Sequence, residues 1–494
     1  MPGSFLFYDL ETYGSDPRRS RIAQFAAIRT DLDLVQVEEA IDVRVAPADD
    51  LLPAPGATLV TGIVPQRMQV EGVNEAEAFA RIFDEMARPE TCTLGYNSLR
   101  FDDEFVRYGL YRNFYDAYER EWRAGNCRWD LLDVVRLAHA LRPDGIEWPK
   151  REDGATSFKL EHLALANDVR EGDAHEALSD VRALIGLARR LKSAQPRLWD
   201  YALKLRDKKF AANLLDTVAM RPVLHVSQRF PASRLCAAAV LPVARHPRVD
   251  SRVIVFDLDQ DPSALLDLPP EDIADRLYTP AADLPDGVSR IALKEVHLNR
   301  CPALAAWDHL READFERLRI DRAAIETRAD AIRAHGPAIA EKVRRVFADL
   351  REREPADVDA GLYDGFVADG DKGLFAKVRA TSPQALATAE FPFRDARLPE
   401  LLFRYRARNW PETLSGDERA RWDAYRRERL TVDRGWSEYT FESFAAELAA
   451  LRIAHAASPE RLALLDALDD WGRMLARELA VPFGPTSAHA ALLV

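Results

Sequence analysis

Cysteine is scarce in this chain: Cys92, Cys127, Cys236 and Cys301 are the only four among 494 residues, and no two form a CxxC pair. A disulfide framework or a zinc knuckle needs clustered thiols, so neither is expected, and a reducing cytoplasm fits. No apolar run reaches the about 18 residues that would span a bilayer, so no membrane association is expected. The N-terminus enters a strand-like run almost at once, which leaves no room for a cleaved signal. Phosphate loops of the GxxxxGK[ST] kind and GxSxG elbows are also missing, so the NTPase and serine-hydrolase readings lose their support. Internal repeats and low-complexity tracts are absent too.

Acidic residues are plentiful, and a few of them are suggestively placed. The run Phe5-Leu6-Phe7-Tyr8 is short, apolar and aromatic, as expected of a strand buried on both faces. Asp9 and Glu11 follow at its C-terminal end, where residues i and i+2 project to the same side. Ligand sites of helix-flanked sheets commonly lie beyond that end of the strands. Two like charges on one face repel, and a bound cation is the natural remedy. Taken alone, an acidic strand end in solvent would be the better reading.

Two further segments change the balance. Residues 92–97 (CTLGYN) read as another strand, and 101–114 (FDDEFVRYGLYRNF) carry apolar residues near a helical period. Asp102 and Asp103 fall in the first turn of that helix, where the dipole favours acids anyway. Residues 173–192 (DAHEALSDVRALIGLARRLK) form an amphipathic pattern, with Asp173 and Glu176 at capping-box spacing. This places His175 in the first turn and Asp180 one to two turns on. Packing a helix on a sheet requires neither of them. An imidazole with an ordinary pKa of about 6.5 can take a proton from water near neutrality, which makes His175 the candidate general base.

Carboxylate oxygens suit Mg²⁺, with Mn²⁺ as a substitute, rather than zinc. Two such ions, roughly 3.5–4 Å apart, would clamp the attacking and leaving oxygens of one phosphodiester. The chemistry points to a nuclease.

A length of 494 residues calls for two or three domains of about 100–200 residues each. Strand-like runs at 5–11, 22–31 and 40–46 precede any helix and suggest an antiparallel meander in a mixed α/β core. The segment 193–201 (SAQPRLWDY) reads as a linker. Between about 220 and 300, short β-rich runs (MRPVLHVS, CAAAVLPVA, SRVIVFDLD, SRIALKEVHL) alternate with Pro, Asp and Gly and suggest a small barrel. A second boundary falls near 353–357. Beyond it, GDERARWDAYRRERL and FESFAAELAALRIAHAA read as packed helices, and the last residues of the chain as poorly ordered.

The net charge of −13 is unusual for a nucleic-acid binder, whose phosphate contacts supply much of its affinity. Net charge is a sum, however, and local patches decide more. Arg404, Arg406 and Arg408 lie among Phe403, Tyr405 and Trp410, a mixture that suits stacked single-stranded bases.

Taken together, the acids and the histidine resemble the DEDDh exonuclease superfamily, named for four acids and a histidine in this order. Longer segments narrow the resemblance. FLFYDLETYG, LGYNSLRFDDE, RWDLLDVVRLAHALRPDGIEWP and SFKLEHL are similar to bacterial exodeoxyribonuclease I, as are KEVHLNRCPALA, LYDGFVADGD and LLFRYRARNWPETL. The resemblance implies an α/β fold with a ribonuclease-H-like mixed-sheet exonuclease core (1–195). It also implies an SH3-like barrel with flanking helices (196–353) and a C-terminal helical domain (354–494).

The same resemblance implies a 3′→5′ exonuclease that degrades single-stranded DNA with a free 3′ end to mononucleotides, processively, in DNA repair and recombination. It selects Asp102 rather than Asp103, so the metal ligands are Asp9, Glu11, Asp102 and Asp180, with Glu11 also beside the terminal nucleotide. Lys159 stands where the family has an arginine near the substrate, and lysine cannot form arginine's bidentate fork on phosphate. Arg404, Arg406 and Arg408 are expected at the substrate. Arg142 matches a basic position that contacts the acidic C-terminal tail of single-stranded-DNA-binding protein. A cytoplasmic monomer, nucleoid-associated when on DNA, is expected, its later domains closing over one strand. An exoribonuclease on the same core and a non-catalytic scaffold for 3′ ends or for the binding protein are the rival readings.

Overall fold

Short aromatic runs open the chain, and in the computed structural model, which describes residues 2–170, 176–348 and 356–484, they become strands. Two units emerge. One comprises Met1–Cys127, Glu171–Arg182 and Glu354–Val494, and the other Arg128–Arg170 and Ala183–Arg353. Each is described by its own contacts.

In the first unit, β1 (Ser4–Thr12), β2 (Ile22–Thr30) and β3 (Ile41–Arg44) form the expected antiparallel meander. β4 (Thr91–Gly95) joins the other side of β1 in parallel, pairing Phe7 with Leu94, so these four strands run β3-β2-β1-β4. β1 is thus a central strand, and its apolar stretch Phe5–Tyr8 is buried throughout. Leu6, Tyr8 and Leu10 share a core with Phe79, Ile82 and Met86 of the helix Glu75–Met86, and with Phe105, Val106 and Leu110 of the helix Asp102–Arg112. Gly109 allows the two helices to meet, since a Cβ there would fall 1.8 Å from the Phe79 ring.

The late helices of this unit pack on its early residues. Leu430 at the end of the helix Gly416–Thr431, Phe441, Phe444 and Leu448 of Phe441–Ala454, and Leu465, Leu468, Trp471 and Leu475 of Pro459–Glu478 enclose Leu52. Trp471 Nε1 donates to the Leu51 carbonyl at 2.9 Å. The apolar spacing read in these segments is therefore core packing, as expected. The tail 485–494 and most of the 353–357 boundary lie outside the described residues.

In the second unit, Asp130 ends β5 (Cys127–Asp130) and caps the helix Leu131–Leu141, its Oδ1 accepting the Leu132 N–H at 3.0 Å. The four expected β runs appear as β6 (Val223–Val226), β7 (Ala237–Arg245), β8 (Arg252–Asp257) and β9 (Leu293–His297). β10 (Ala303–Ala306) was not anticipated, because four alanine-rich residues carry little strand propensity. The order is β10-β6-β7-β8-β9, every neighbour antiparallel. Helices Arg322–Arg333 and Gly336–Val346 cover this sheet through Ile325, Ile332, Ile339 and Val343.

The supposed linker 193–201 is helical on both sides of Gln195, with Pro196 opening the helix Pro196–Lys204. Proline starts a helix as readily as it ends one, and Leu198, Trp199, Ala202 and Leu203 give this one a buried face. Among the described residues no helix is long and apolar enough to cross a membrane.

Candidate active site

Alternation along β1 sends Tyr8 and Leu10 into the helix-covered core and Asp9 and Glu11 to the opposite face. The ladder with β2 runs regularly through Glu11, which lies opposite Gln24, and shifts register only at Thr12. Both carboxylates thus stand on rigid, paired backbone. β4 runs parallel to the preceding part of β1, from Ser4 to Phe7, and beyond its C-terminal end the chain enters the helix Asp102–Arg112 with Asp102 as its first residue. The helix Ala177–Ala194 supplies Asp180 from its first turn.

Asp9, Glu11 and Asp180 converge: each offers a carboxylate oxygen within 4.8 Å of the others. Asp102 is buried and acts electrostatically on both Asp9 and Glu11. Burial, and then the charges of Asp102, Glu11 and Asp180, push the Asp9 carboxyl well above its ordinary range. Burial, followed by the charges of Asp180, Asp102 and Glu176, pushes Glu11 up to about 8. Such a cluster resists full ionisation by itself. It fits a hard divalent cation, because all its donors are oxygen and the cation would relieve the repulsion that raises these groups.

Glu176, a helix cap by its sequence spacing, also belongs to the acid cluster. It accepts the Ser179 N–H at 2.8 Å, and its charge reaches Glu11. The signal was available, since Glu176 stands four residues before Asp180 and so on the same helical face. His175 and Asp173 lie outside the described residues. Asp103 is engaged elsewhere, with its Oδ1 accepting the Tyr8 hydroxyl at 2.8 Å and an Arg120 N–H.

The other expected contacts have different settings. The Lys159 side chain is 71% exposed, with Nζ 3.1 Å from Glu161 Oε1. Arg142 Nη1 donates to Asp314 Oδ1 at 2.7 Å, and Arg311 holds the same buried carboxylate.

Arg404, Arg406 and Arg408 depart furthest from expectation, for they are only 6%, 4% and 9% exposed. Arg404 donates to Asp357 and Asp359 and lies over the Tyr425 ring at 3.8 Å. Arg408 bridges Asp50 and Asp359, and Arg406 pairs with Glu418. Tyr405 is buried against Phe114. The reading of this helix as a base-stacking platform is therefore corrected. A phosphate taking Arg408 would strand two buried aspartates, which costs far more than a surface contact returns.

Residues 6–188 match the family model for exonucleases, 206–349 that of the exonuclease I SH3-like domain, and 356–475 that of the exonuclease I C-terminal domain. Exodeoxyribonuclease I of Escherichia coli strain K12 is 44% identical over 466 residues, covering 94% of this chain and 96% of the relative. The structure of a moderately thermophilic exonuclease I from Methylocaldum szegediense matches with a TM-score of 0.92 at 46% identity, covering 96% of this chain and 99% of that one. E. coli exonuclease I in complex with a dA16 oligonucleotide also matches with a TM-score of 0.92, at 43% identity over 96% and 100% of the two chains.

Two further matches, each at 42% identity over 96% of this chain and 100% of the other, are informative. They are the zinc-bound form of the E. coli enzyme with single-stranded DNA, at a TM-score of 0.90, and an SSB/exonuclease I complex with the inhibitor CFAM, at 0.87. The antiparallel sheet β6–β10 falls inside the SH3-like match, and the late helices inside the C-terminal one. Three consecutive family matches and near-full-length relatives lead to one conclusion: the chain belongs to the exodeoxyribonuclease I family.

Proposed function

We propose that this chain is a 3′→5′ exonuclease that degrades single-stranded DNA to mononucleotides with the help of two Mg²⁺ ions. The observation that carries the reading is the convergence of Asp9, Glu11 and Asp180 within 4.8 Å, with Asp102 acting on the first two. Family membership supplies the substrate class, since relatives have been seen with single-stranded oligonucleotides.

In this reading Asp9, Glu11, Asp102 and Asp180 hold the ions. When bound, they supply Lewis-acid activation of water and stabilisation of the departing 3′ oxygen. Glu11 also lies beside the terminal nucleotide and helps to orient it. His175, placed by its sequence position five residues before Asp180, takes the proton of the attacking water on a ring nitrogen. The water oxygen bonds to phosphorus as the bond to the 3′ oxygen of the preceding nucleotide breaks. The departing 3′ oxygen takes a proton from solvent, so the shortened strand keeps a 3′ hydroxyl, and the released nucleotide carries the phosphate. Lys159 meets a backbone phosphate as a point charge. Digestion proceeds without release of the strand, as suits an enzyme of DNA repair and recombination. Arg142 receives the acidic tail of single-stranded-DNA-binding protein, a partner class supported by the SSB/exonuclease I relative.

The test is direct. The purified protein is incubated with 5′-labelled single-stranded DNA, its RNA counterpart and a blunt duplex, in Mg²⁺ and in EDTA. A Mg²⁺-dependent ladder shortening from the 3′ end of single-stranded DNA is expected. Preference for RNA would overturn the substrate, and binding without cleavage would leave a scaffold.

A further inference from the structure

Tyr8 immediately precedes Asp9, and Asp103 immediately follows Asp102. Each pair has one member in the acid cluster and one turned away from it. The two that turn away meet, the Tyr8 hydroxyl donating to Asp103 Oδ1 at 2.8 Å. Arg120 closes on the same oxygen with its side chain fully buried, and its other terminal nitrogen reaches Thr93 Oγ1 of β4 at 3.4 Å. The Asp103 N–H donates to the Ser98 carbonyl at 2.9 Å, and Asn126 Nδ2 holds the Arg120 carbonyl at 3.2 Å. Three elements are thereby tied at one point: β1, β4 and the first turn of the helix Asp102–Arg112.

We propose that Tyr8, Asp103 and Arg120 form a positioning cluster that sets the spacing of the metal-binding carboxylates Asp9 and Asp102. Packing of the neighbouring core requires none of their polar groups, and burying an arginine with an aspartate is costly unless the geometry serves a purpose. Consecutive residues on a strand face opposite sides, and on a helix they differ by about 100°. Fixing Tyr8 against Asp103 therefore fixes the separation of the two backbones that carry Asp9 and Asp102. Arg120 also neutralises Asp103, so a fifth carboxylate does not add its charge to the four beside it. Groups behind metal ligands commonly govern affinity in this way. The inference rests on the metal-binding reading of the acid cluster.

The experiment measures Mn²⁺ binding to the full chain by electron paramagnetic resonance, without DNA, for wild type, Tyr8→Phe, Arg120→Lys and Asp9→Asn. Temperature is held well below each variant's melting point, so only folded protein is compared. Loss of about tenfold in Mn²⁺ affinity is expected for Tyr8→Phe and Arg120→Lys, with single-strand binding in EDTA unchanged. A merely structural role would lower the melting temperature and leave Mn²⁺ affinity alone, and that result overturns the proposal. If Asp9→Asn binds Mn²⁺ like the wild type, the metal reading fails first and this inference falls with it. Should one of the two positioning variants not fold, the other decides.

Discussion

Glu11 carries the chemistry of the site in a single number: buried among Asp180, Asp102 and Glu176, its carboxyl is pushed up to about 8. Between an unfolded value of about 4.3 and that folded value, the native state holds more protons than the unfolded chain. Its contribution to stability is therefore complete below the unfolded value and lost as pH rises through about 8. In EDTA, melting temperature should fall more steeply between pH 5 and 8 for the wild type than for Glu11→Gln, and equal slopes would contradict the like-charge cluster. Mg²⁺ should displace these protons, so its uptake should tighten with rising pH, as calorimetry in buffers of different ionisation enthalpy can show. Asp180→Asn should lower cleavage by more than about a hundredfold, since losing an outer partner of a ligand alone costs 10–100-fold. Single-strand binding in EDTA, followed by fluorescence anisotropy, should persist, and near-normal turnover would remove Asp180 from the site.

At the scale of the element, the helix Arg397–Asn409 shows how far pattern reading reaches. Its arginines alternate with aromatic residues, which in sequence looks like a nucleic-acid surface. Arg404 has a local partner in Glu400, four residues earlier, and Arg406 pairs with Glu418, but the buried aspartates Asp50, Asp357 and Asp359 that complete the network are distant in sequence, so its burial could not be read locally. Burial alone would raise Asp50, but Arg408, Arg429 and Arg21 overcome it and hold the carboxyl well below the usual range. Asp359 is lowered in the same way, against its own burial, by Arg408 and Arg404. Their contribution to stability is thus present above about pH 4 and drains away as pH falls below it. Arg408→Met should destabilise the chain by about 3–5 kcal/mol, because two buried acids lose their partner. Urea unfolding at neutral pH measures this, and a change near zero would mean that the aspartates find other cations. By contrast, β1, the meander and the helix after β4 were legible, because period-two and helical spacing are local properties. Which of Asp102 and Asp103 served the acid cluster was not, since that depends on Tyr8 and Arg120 across the sheet.

Across the whole molecule, three consecutive family matches regroup into two compact units. The first unit combines the first strands with the last helices, joined by Leu52 in the late helical core, Trp471 on the Leu51 carbonyl and Trp422 Nε1 on Asp49. The second combines the helix Leu131–Leu141 with the antiparallel sheet, where Arg317 donates to the His139 and Ala140 carbonyls. A chain ending at residue 348 should therefore not leave an intact nuclease core. Loss of near-ultraviolet circular dichroism and rapid proteolysis of its N-terminal part are expected, while a folded, active fragment would show the late helices to be dispensable. The sequence by itself determined the all-oxygen donor types, the strand alternation that puts Asp9 and Glu11 on one face, and the family, because side-chain type and local period need no distant partner. Only the tertiary structure decided that Asp180 closes on Asp9 and Glu11, that Arg408 faces two aspartates instead of a phosphate, and that Leu52 shares one core with the late helices. These depend on burial and on contacts between residues 49 to 420 positions apart, where the loss of water makes each pairing obligatory.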